Sequence, residues 1–388
     1  MTTEPIPSKG GLRENLGALG RLLAACAVAA IGLAGCSNAS SGTTNSTLAS
    51  EATFGTYPYW NTFSGPDGYW STSFVSPYWA NFTSRDGGGH WILKTPSDIS
   101  PRRGIAVTES PGGTKAVGFF AYQGQTDSAV FSFRNSGAKV YFLGGPLVPA
   151  RQSLGFSGEN LFALRQRADA IQITTADSAT SGFALRYSDA RTAGSPAVAA
   201  IGFASQAPQD GVALLGAQEQ SGRVSKIVVT HDAGATWNTL AVTLPGGGEG
   251  ISACYIPLGF GPYSYEFALV DQVAGGYRTI VETSAGASNP VLTPAPPIMG
   301  SDPQGDIFLL NSVLGIAPTL SALAVGTLKW SAPAQMGGIE GALESIGFSS
   351  KSKGIAISSL AGNLRAFATG DGGLDWTPRG TIAIPRVG

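Results

Sequence analysis

Three octapeptides in this chain share one skeleton: Ser or Thr, any residue, Asp, any residue, Gly, any two residues, Trp. They read SRDGGGHW at 84–91, THDAGATW at 230–237 and TGDGGLDW at 369–376. A fixed set of turn-forming residues that returns along a chain marks an internal repeat, and a repeat limits the fold more than any isolated motif. A second signal runs beside it: LGF at 154–156, IGF at 201–203, LGF at 258–260 and IGF at 346–348, with the Phe residues 47, 57 and 88 apart. The last interval is twice 44, so a drifted copy is expected near residue 304, with GDIFLLN at 305–311 as its remnant. Phe203 precedes Asp232 by 29 residues, Phe348 precedes Asp371 by 23, and WNTF, ending at Phe63, precedes Asp86 by 23. The two signals are therefore in phase. With GIAVTES at 104–110 filling the gap before Phe156, the series has seven members.

Within one repeat the apolar runs are short: IGFAS, GVALLG at 211–216, SKIVVT at 225–230, the octapeptide, then WNTLAV at 237–242. Such runs, rich in Val, Ile and aromatics and bounded by Gly, Asn, Asp and Ser, read as strands joined by hairpins. The composition agrees, since 54 Gly and 24 Pro accompany a charged fraction of only 13%, which favours turns over long helices. Four antiparallel strands per ~45 residues, repeated about seven times, predict an all-β protein: a β-propeller of seven four-stranded blades, with six or eight compatible with the same counts. The octapeptide falls at the turn between third and fourth strands. There Asp accepts backbone N–H groups, Gly takes a positive φ, and Trp fills the apolar space between neighbouring sheets.

The octapeptides resemble Asp boxes, also called BNR repeats, found in sialidases, sortilin-type receptors and photosystem II assembly factors. Worn copies are TADSATSGF at 175–183, keeping Thr175 and Asp177, and ETSAGASN at 282–289, keeping Thr283 and Gly286. The expected structural set is Ser84, Asp86, Gly88 and Trp91; Thr230, Asp232, Gly234 and Trp237; and Thr369, Asp371, Gly373 and Trp376. The resemblance covers most of residues 51–388 and leaves function open, because propellers host enzymes and inert platforms alike.

A sialidase is expected to carry an early Arg-Ile-Pro segment within its Arg triad, and no Arg-Ile-Pro occurs in this chain. The two histidines, His90 and His231, both lie inside the octapeptides. HExxH, CxxC, EF-hand and GxxxxGK patterns are lacking, so no catalytic residue, metal or cofactor is assigned. Four of the seven Trp fall between 57 and 91. Of these, Trp60, Trp70 and Trp79 are the candidates for facing a ligand, against the plainer expectation that blade one packs with aromatics.

Lys9, Arg13 and Arg21 precede an uncharged run, LLAACAVAAIGLAG at 22–35, too short to span a bilayer as a lone helix and suited to an export signal. Its end, Leu33-Ala34-Gly35-Cys36, resembles the lipobox of bacterial lipoproteins, which implies cleavage before Cys36 and lipidation of that residue. The expected organisation is a signal over 1–35, lipidated Cys36 with a Ser/Thr/Asn-rich tether over 36–50, and the propeller over 51–388. Cys254 is then the one spare cysteine, and the fold rests on its core rather than on a disulfide. A formal net charge of -1 gives no basis for nucleic-acid binding. The sequence is thus read as a monomeric, membrane-anchored platform of the cell envelope for a protein or glycan partner. The alternative is a sialidase-like glycoside hydrolase or a lyase working at the channel mouth.

Overall fold

The computed structural model describes residues 60–64, 69–75, 79–93, 104–109, 116–120, 129–134, 137–142, 153–167, 169–176, 182–190, 199–216, 224, 226–244, 251–256, 259–313, 316–361 and 363–383. Their regular structure is entirely β. The first sheet carries β1 (Trp60–Ser64), β2 (Trp70–Val75), β3 (Trp79–Ser84) and β4 (Ile92–Leu93), and the second β5 (Gly104–Glu109), β6 (Ala116–Phe120), β7 (Ala129–Arg134) and β8 (Gly137–Phe142). The third holds β9 (Leu154–Ser157), β10 (Asn160–Gln166), β11 (Ala170–Ala176) and β12 (Ala184–Ala190), and the fourth β13 (Ala199–Phe203), β14 (Gly211–Leu215), β15 (Lys226–Thr230) and β16 (Asn238–Thr239). In the fifth, β17 (Ile251–Tyr255), β18 (Glu266–Val273), β19 (Gly276–Thr283) and β20 (Gly286–Ala287) are joined by β21 (Val291–Thr293), which also pairs with β19. The sixth has β22 (Ile298–Ser301), β23 (Ile307–Asn311), β24 (Thr319–Leu323) and β25 (Ala334–Gln335), and the last β26 (Ala342–Phe348), β27 (Gly354–Leu360), β28 (Asn363–Thr369) and β29 (Thr377–Ile382).

Each sheet is an antiparallel meander of consecutive strands, the arrangement of a β-propeller. Successive sheets touch through their first strands, β5 on β9, β9 on β13, β13 on β17 and β22 on β26, and β1 packs on β26 to join first sheet to last. The Gly of the LGF and IGF strings is explained by these contacts. An added Cβ would lie 3.2 Å from the Ile201 carbonyl oxygen at Gly155, and 2.8 Å from that of Thr62 at Gly347. Only a residue without a side chain lets two first strands approach so closely.

The Phe of the same strings explains the phase shared by the two repeat signals. In the fourth sheet Phe203 and Trp237 meet Phe162 of the third, with ring centroids 4.7 Å apart for Phe162–Phe203 and 5.9 Å for Phe203–Trp237. In the last sheet Phe348 stacks on Phe308 of the sixth at 3.5 Å and meets Trp376 at 6.1 Å. Two motifs distant in sequence thus fill one gap, and each ring removes ~150–250 Å² from water. The two signals recur together because they are halves of one contact.

Two copies of the second signal lie elsewhere than expected. Phe260 is not on a first strand; it follows β17 in the connection to β18, fully buried with φ of 59°. GDIFLLN supplies β23, a second strand, whereas the first strand of that sheet is β22, with Gly300 making the close approach: its Cβ would lie 3.0 Å from the Ile346 carbonyl oxygen. Trp70 is core rather than ligand-facing. It is 5% exposed and packs with Phe82 against Ile355, Ile357 and Leu364 of the last sheet. Trp60 and Trp79 head β1 and β3, and the expectation for their side chains lies outside the described residues, as do the signal, Cys36 and the tether. Cys254 is buried and forms no disulfide among the described residues.

Candidate functional site

The three octapeptide turns are superimposable in their hydrogen bonding. Ser84 Oγ donates to Asp86 Oδ1 at 2.8 Å and accepts from Gly88 N at 2.9 Å. Thr230 repeats this with Asp232 and Gly234 at 2.8 and 2.9 Å, and Thr369 with Asp371 and Gly373 at 2.7 and 3.0 Å. The same carboxylate oxygen accepts from the backbone N–H four residues after the aspartate, at His90, Thr236 and Asp375, at 2.9, 2.8 and 3.1 Å. Each Trp Nε1 donates back to the carbonyl of its own turn glycine, at 2.9, 3.2 and 2.8 Å. Gly88, Gly234 and Gly373 have φ of 91°, 80° and 93°, and each abuts the preceding sheet: an added Cβ would sit 2.4 Å from the Phe162 ring at Gly234.

These bonds favour the ionised carboxylate. Asp86 is held well below the usual range, chiefly by the His90 backbone N–H, and Asp232 is lowered to about 2, chiefly by the Thr236 hydroxyl. Asp371 is lowered first by the Thr369 hydroxyl. All three aspartates are exposed, while the glycines and the Trp237 and Trp376 rings are buried and Trp91 is half-buried. The two histidines serve the same loops: His90 pairs with Asp86, and His231 Nδ1 lies 2.8 Å from Asp210.

Strand register sharpens the worn copies. Phe203 pairs with Gly211 and Gly211 with Thr230, and Phe348, Gly354 and Thr369 repeat the series. In the third sheet the corresponding series is Phe156, Leu161 and Ala176, so Ala176 rather than Thr175 holds the threonine position. Phe183, seven residues on, then stands where the other turns have Trp. In the sixth sheet the series is Ser301, Ile307 and Leu323, and seven residues further is Trp330. That turn has lost both hydroxyl and carboxylate and kept only the ring, which packs at the edge of a cluster containing Ala268, Val281 and Ile307. A search by the full motif misses it. In the fifth sheet Thr283 still closes a turn, donating to the Gly286 carbonyl at 3.0 Å and accepting from Ala285 N at 3.1 Å.

Two further features carry polar chemistry. A cavity of about 660 Å³ opens between the third and fourth sheets, lined by Asn160, Phe162, Phe183, Arg186, Asp232 and Ala235 among others. The second is sealed. Glu266 at the head of β18 and Asp302 and Asp306 in the β22–β23 turn are only 1%, 1% and 8% exposed. Asp302 Oδ1 accepts from Gln304 N and Asp306 N at 3.0 and 2.9 Å, and Asp306 Oδ1 from Val325 N at 2.8 Å. Glu266 Oε2 and Asp302 Oδ2 are buried without a partner. Burial, reinforced by Asp302 and Asp306, pushes Glu266 up to about 8, and burial raises Asp302 as well. The lid is backbone: at Gly261 a Cβ would stand 2.1 Å from the Gln304 carbonyl oxygen, and at Gly259 2.2 Å from that of Asp302. Among the described residues no group of three or more His, Cys, Asp or Glu is arranged to hold a metal ion.

No family model matches the chain, and no curated protein matches it. Among solved structures it is similar to prolyl endopeptidases, with a TM-score of 0.55 at 10% identity over 95% of this chain and 54% of that one. It is similar to the GH74 xyloglucanase from Xanthomonas campestris, with a TM-score of 0.52 at 13% identity over 82% of this chain and 55% of the other. It is also similar to the β-propeller domain of the Trilobed protease from Pyrococcus furiosus, with a TM-score of 0.50 at 8% identity over 80% of this chain and 95% of that one. The chain spans about half the length of the first two. At such identities the likeness is one of fold, and it defines the class of protein as a β-propeller.

Proposed function

We propose that this chain is an exported lipoprotein, anchored through Cys36, whose propeller serves as a non-catalytic binding or assembly platform for an envelope protein or glycan. The observation that carries this reading is how the carboxylates are used. Those at the repeated turns, Asp86, Asp232 and Asp371, accept the hydrogen bonds that hold their own turns. Glu266, whose acidity burial weakens strongly, and its neighbour Asp302 are each 1% exposed and roofed by close-packed backbone, out of a substrate's reach. A general acid must meet the proton it transfers within hydrogen-bond distance. The octapeptides in this reading are Asp boxes with a structural task, and the chain works as a monomer, its ring closing within one polypeptide.

The test is a pull-down from envelope extract with the full-length protein, run beside a glycan array and an assay for release of sugars from sialosides and other glycans. Capture of a partner that survives without turnover is expected, and hydrolysis would replace the platform with the enzyme reading. Acyl labelling that disappears in Cys36→Ala tests the anchor.

A further inference from the structure

Arg186 is the extra residue of a β-bulge. Thr174 of β11 pairs with Leu185 and Ile173 with Tyr187, which leaves Arg186 of β12 with no residue opposite. In an unbroken strand residues 185 and 187 would share one face and 186 the other. The bulge cancels that alternation: Leu185 is 56% exposed, whereas Tyr187 packs against the core between the third and fourth sheets and Arg186 lines the cavity there. Bulges beside binding sites commonly re-aim one side chain in this way. Arg186 is exposed, and among the described residues it makes no hydrogen bond or ion pair.

The bulge itself belongs to the repeat. In the last sheet Ala366 pairs with Gly380 and Phe367 with Pro378, so Arg379 is the corresponding extra residue, and its Cβ lies 3.9 Å from where a Gly88 Cβ would stand. Both arginines therefore adjoin the octapeptide turn of the next sheet. Both are exposed, and they differ in that Arg186 lines the cavity between the third and fourth sheets.

The walls indicate what such a cavity accepts. Arg186 offers forked N–H donors, Asn160 both donates and accepts, and Asp232 Oδ2, engaged by the Thr236 hydroxyl, retains a lone pair. One positive and one negative group leave the lining with no net charge, which disfavours a polyanion. Phe183, Ala233 and Ala235 add apolar surface. A ligand that matches has hydroxyls able to give and take hydrogen bonds and a C–H face for the ring, and a volume of about 660 Å³ lies in the range of small-molecule sites. We propose that the cavity between the third and fourth sheets, with Arg186 as its main polar anchor and Phe183 as its apolar wall, is a subsite for an uncharged saccharide. This rests on the platform reading and narrows its partner to a neutral glycan.

The experiment is a neutral-oligosaccharide array followed by calorimetric titration of the best hit against full-length wild type, Arg186→Ala, Phe183→Ala and, as control, Arg379→Ala. Circular dichroism and melting establish that each variant folds. Arg186→Ala should weaken binding about tenfold or more, the loss of hydrogen bonds from a charged donor, with Phe183→Ala also weaker and Arg379→Ala within about twofold of wild type. Glycan binding that survives both cavity substitutions overturns the site. Binding only of acidic glycans or acidic peptides overturns the ligand class. A pull-down that recovers a protein while no glycan binds overturns the subsite and leaves the platform standing, whereas failure of both pull-down and array removes the platform as well.

Discussion

The junction between the sixth and last sheets and that between the fifth and sixth share a strand order and are closed by different means. The former interdigitates rings: Phe308 and Phe348 stack, Trp376 meets Phe348 edge-on, and all three are at most 2% exposed. The latter locks backbone against backbone at Gly259, Gly261 and Gly305, and encloses Glu266, Asp302 and Asp306. Aromatic closure is stabilised by area removed from water and is indifferent to pH. Carboxylate closure depends on a proton, because a buried carboxylate pair without a cation is tolerable only when one member is neutral.

Breaking the aromatic junction has the largest expected effect. Trp376→Ala should cost about 3–5 kcal/mol in denaturant unfolding, as for other buried Trp truncations. Trp330→Ala, at the worn turn of the sixth sheet where the ring is only partly buried, should cost clearly less. Equal losses would mean that the rings do not distinguish the junctions.

The second effect is on the carboxylate side. Glu266 keeps its proton to about pH 8 when folded, against an ordinary 4.5, with Asp302 and Asp306 as the charges facing it. Unfolding therefore releases a proton between those values, and stability falls as pH rises through that window, by an amount on the order of a few kcal/mol. Thermal melts from pH 5 to 9 should show this slope in wild type and a flatter one in Glu266→Gln, with the variant more stable at the alkaline end. An unchanged slope would show that Glu266 is not the group responsible.

A smaller, opposite slope belongs to the turns. Asp232 has a folded pKa of about 2 against 3.8, so its stabilisation is present above about pH 4 and is lost as pH falls toward 2. Asp232→Asn should remove that acid-side contribution in melts between pH 2 and 5. The smallest change sharpens the comparison among the turns themselves. Ala233 adopts φ of 56° where the other two turns have Gly87 and Gly372 at 71° and 84°. Ala233→Gly should relieve strain and raise stability by up to about 1 kcal/mol, partly offset by the added freedom of the unfolded chain.

The parts legible in the sequence are those in which one residue type answers one physical demand. Trp237, Phe203 and Gly202 recur because ring packing and close strand approach admit few substitutes, and their phase follows from their meeting in space. The misreadings have the same origin. Trp330 lost its companions and so left the motif, and Thr175 looked like a turn threonine although register gives that position to Ala176. Trp70 stood among many aromatics whose faces one sequence cannot orient. Arg186 sits in ALRYSDA, where the alternation conceals a bulge, and Glu266 sits in an ordinary apolar run, since its burial is made by loops from the neighbouring sheet.

Among the described strands, no sheet draws on both ends of the chain. The ring is shut by Trp70 and Phe82 against Ile355 and Ile357, and by the hydroxyls of Thr62 and Ser345 at 2.6 Å. Tension applied ahead of β1 therefore pulls first on a seam that, among the described strands, no shared ladder of backbone bonds reinforces, which makes that seam the place where the ring would yield under load.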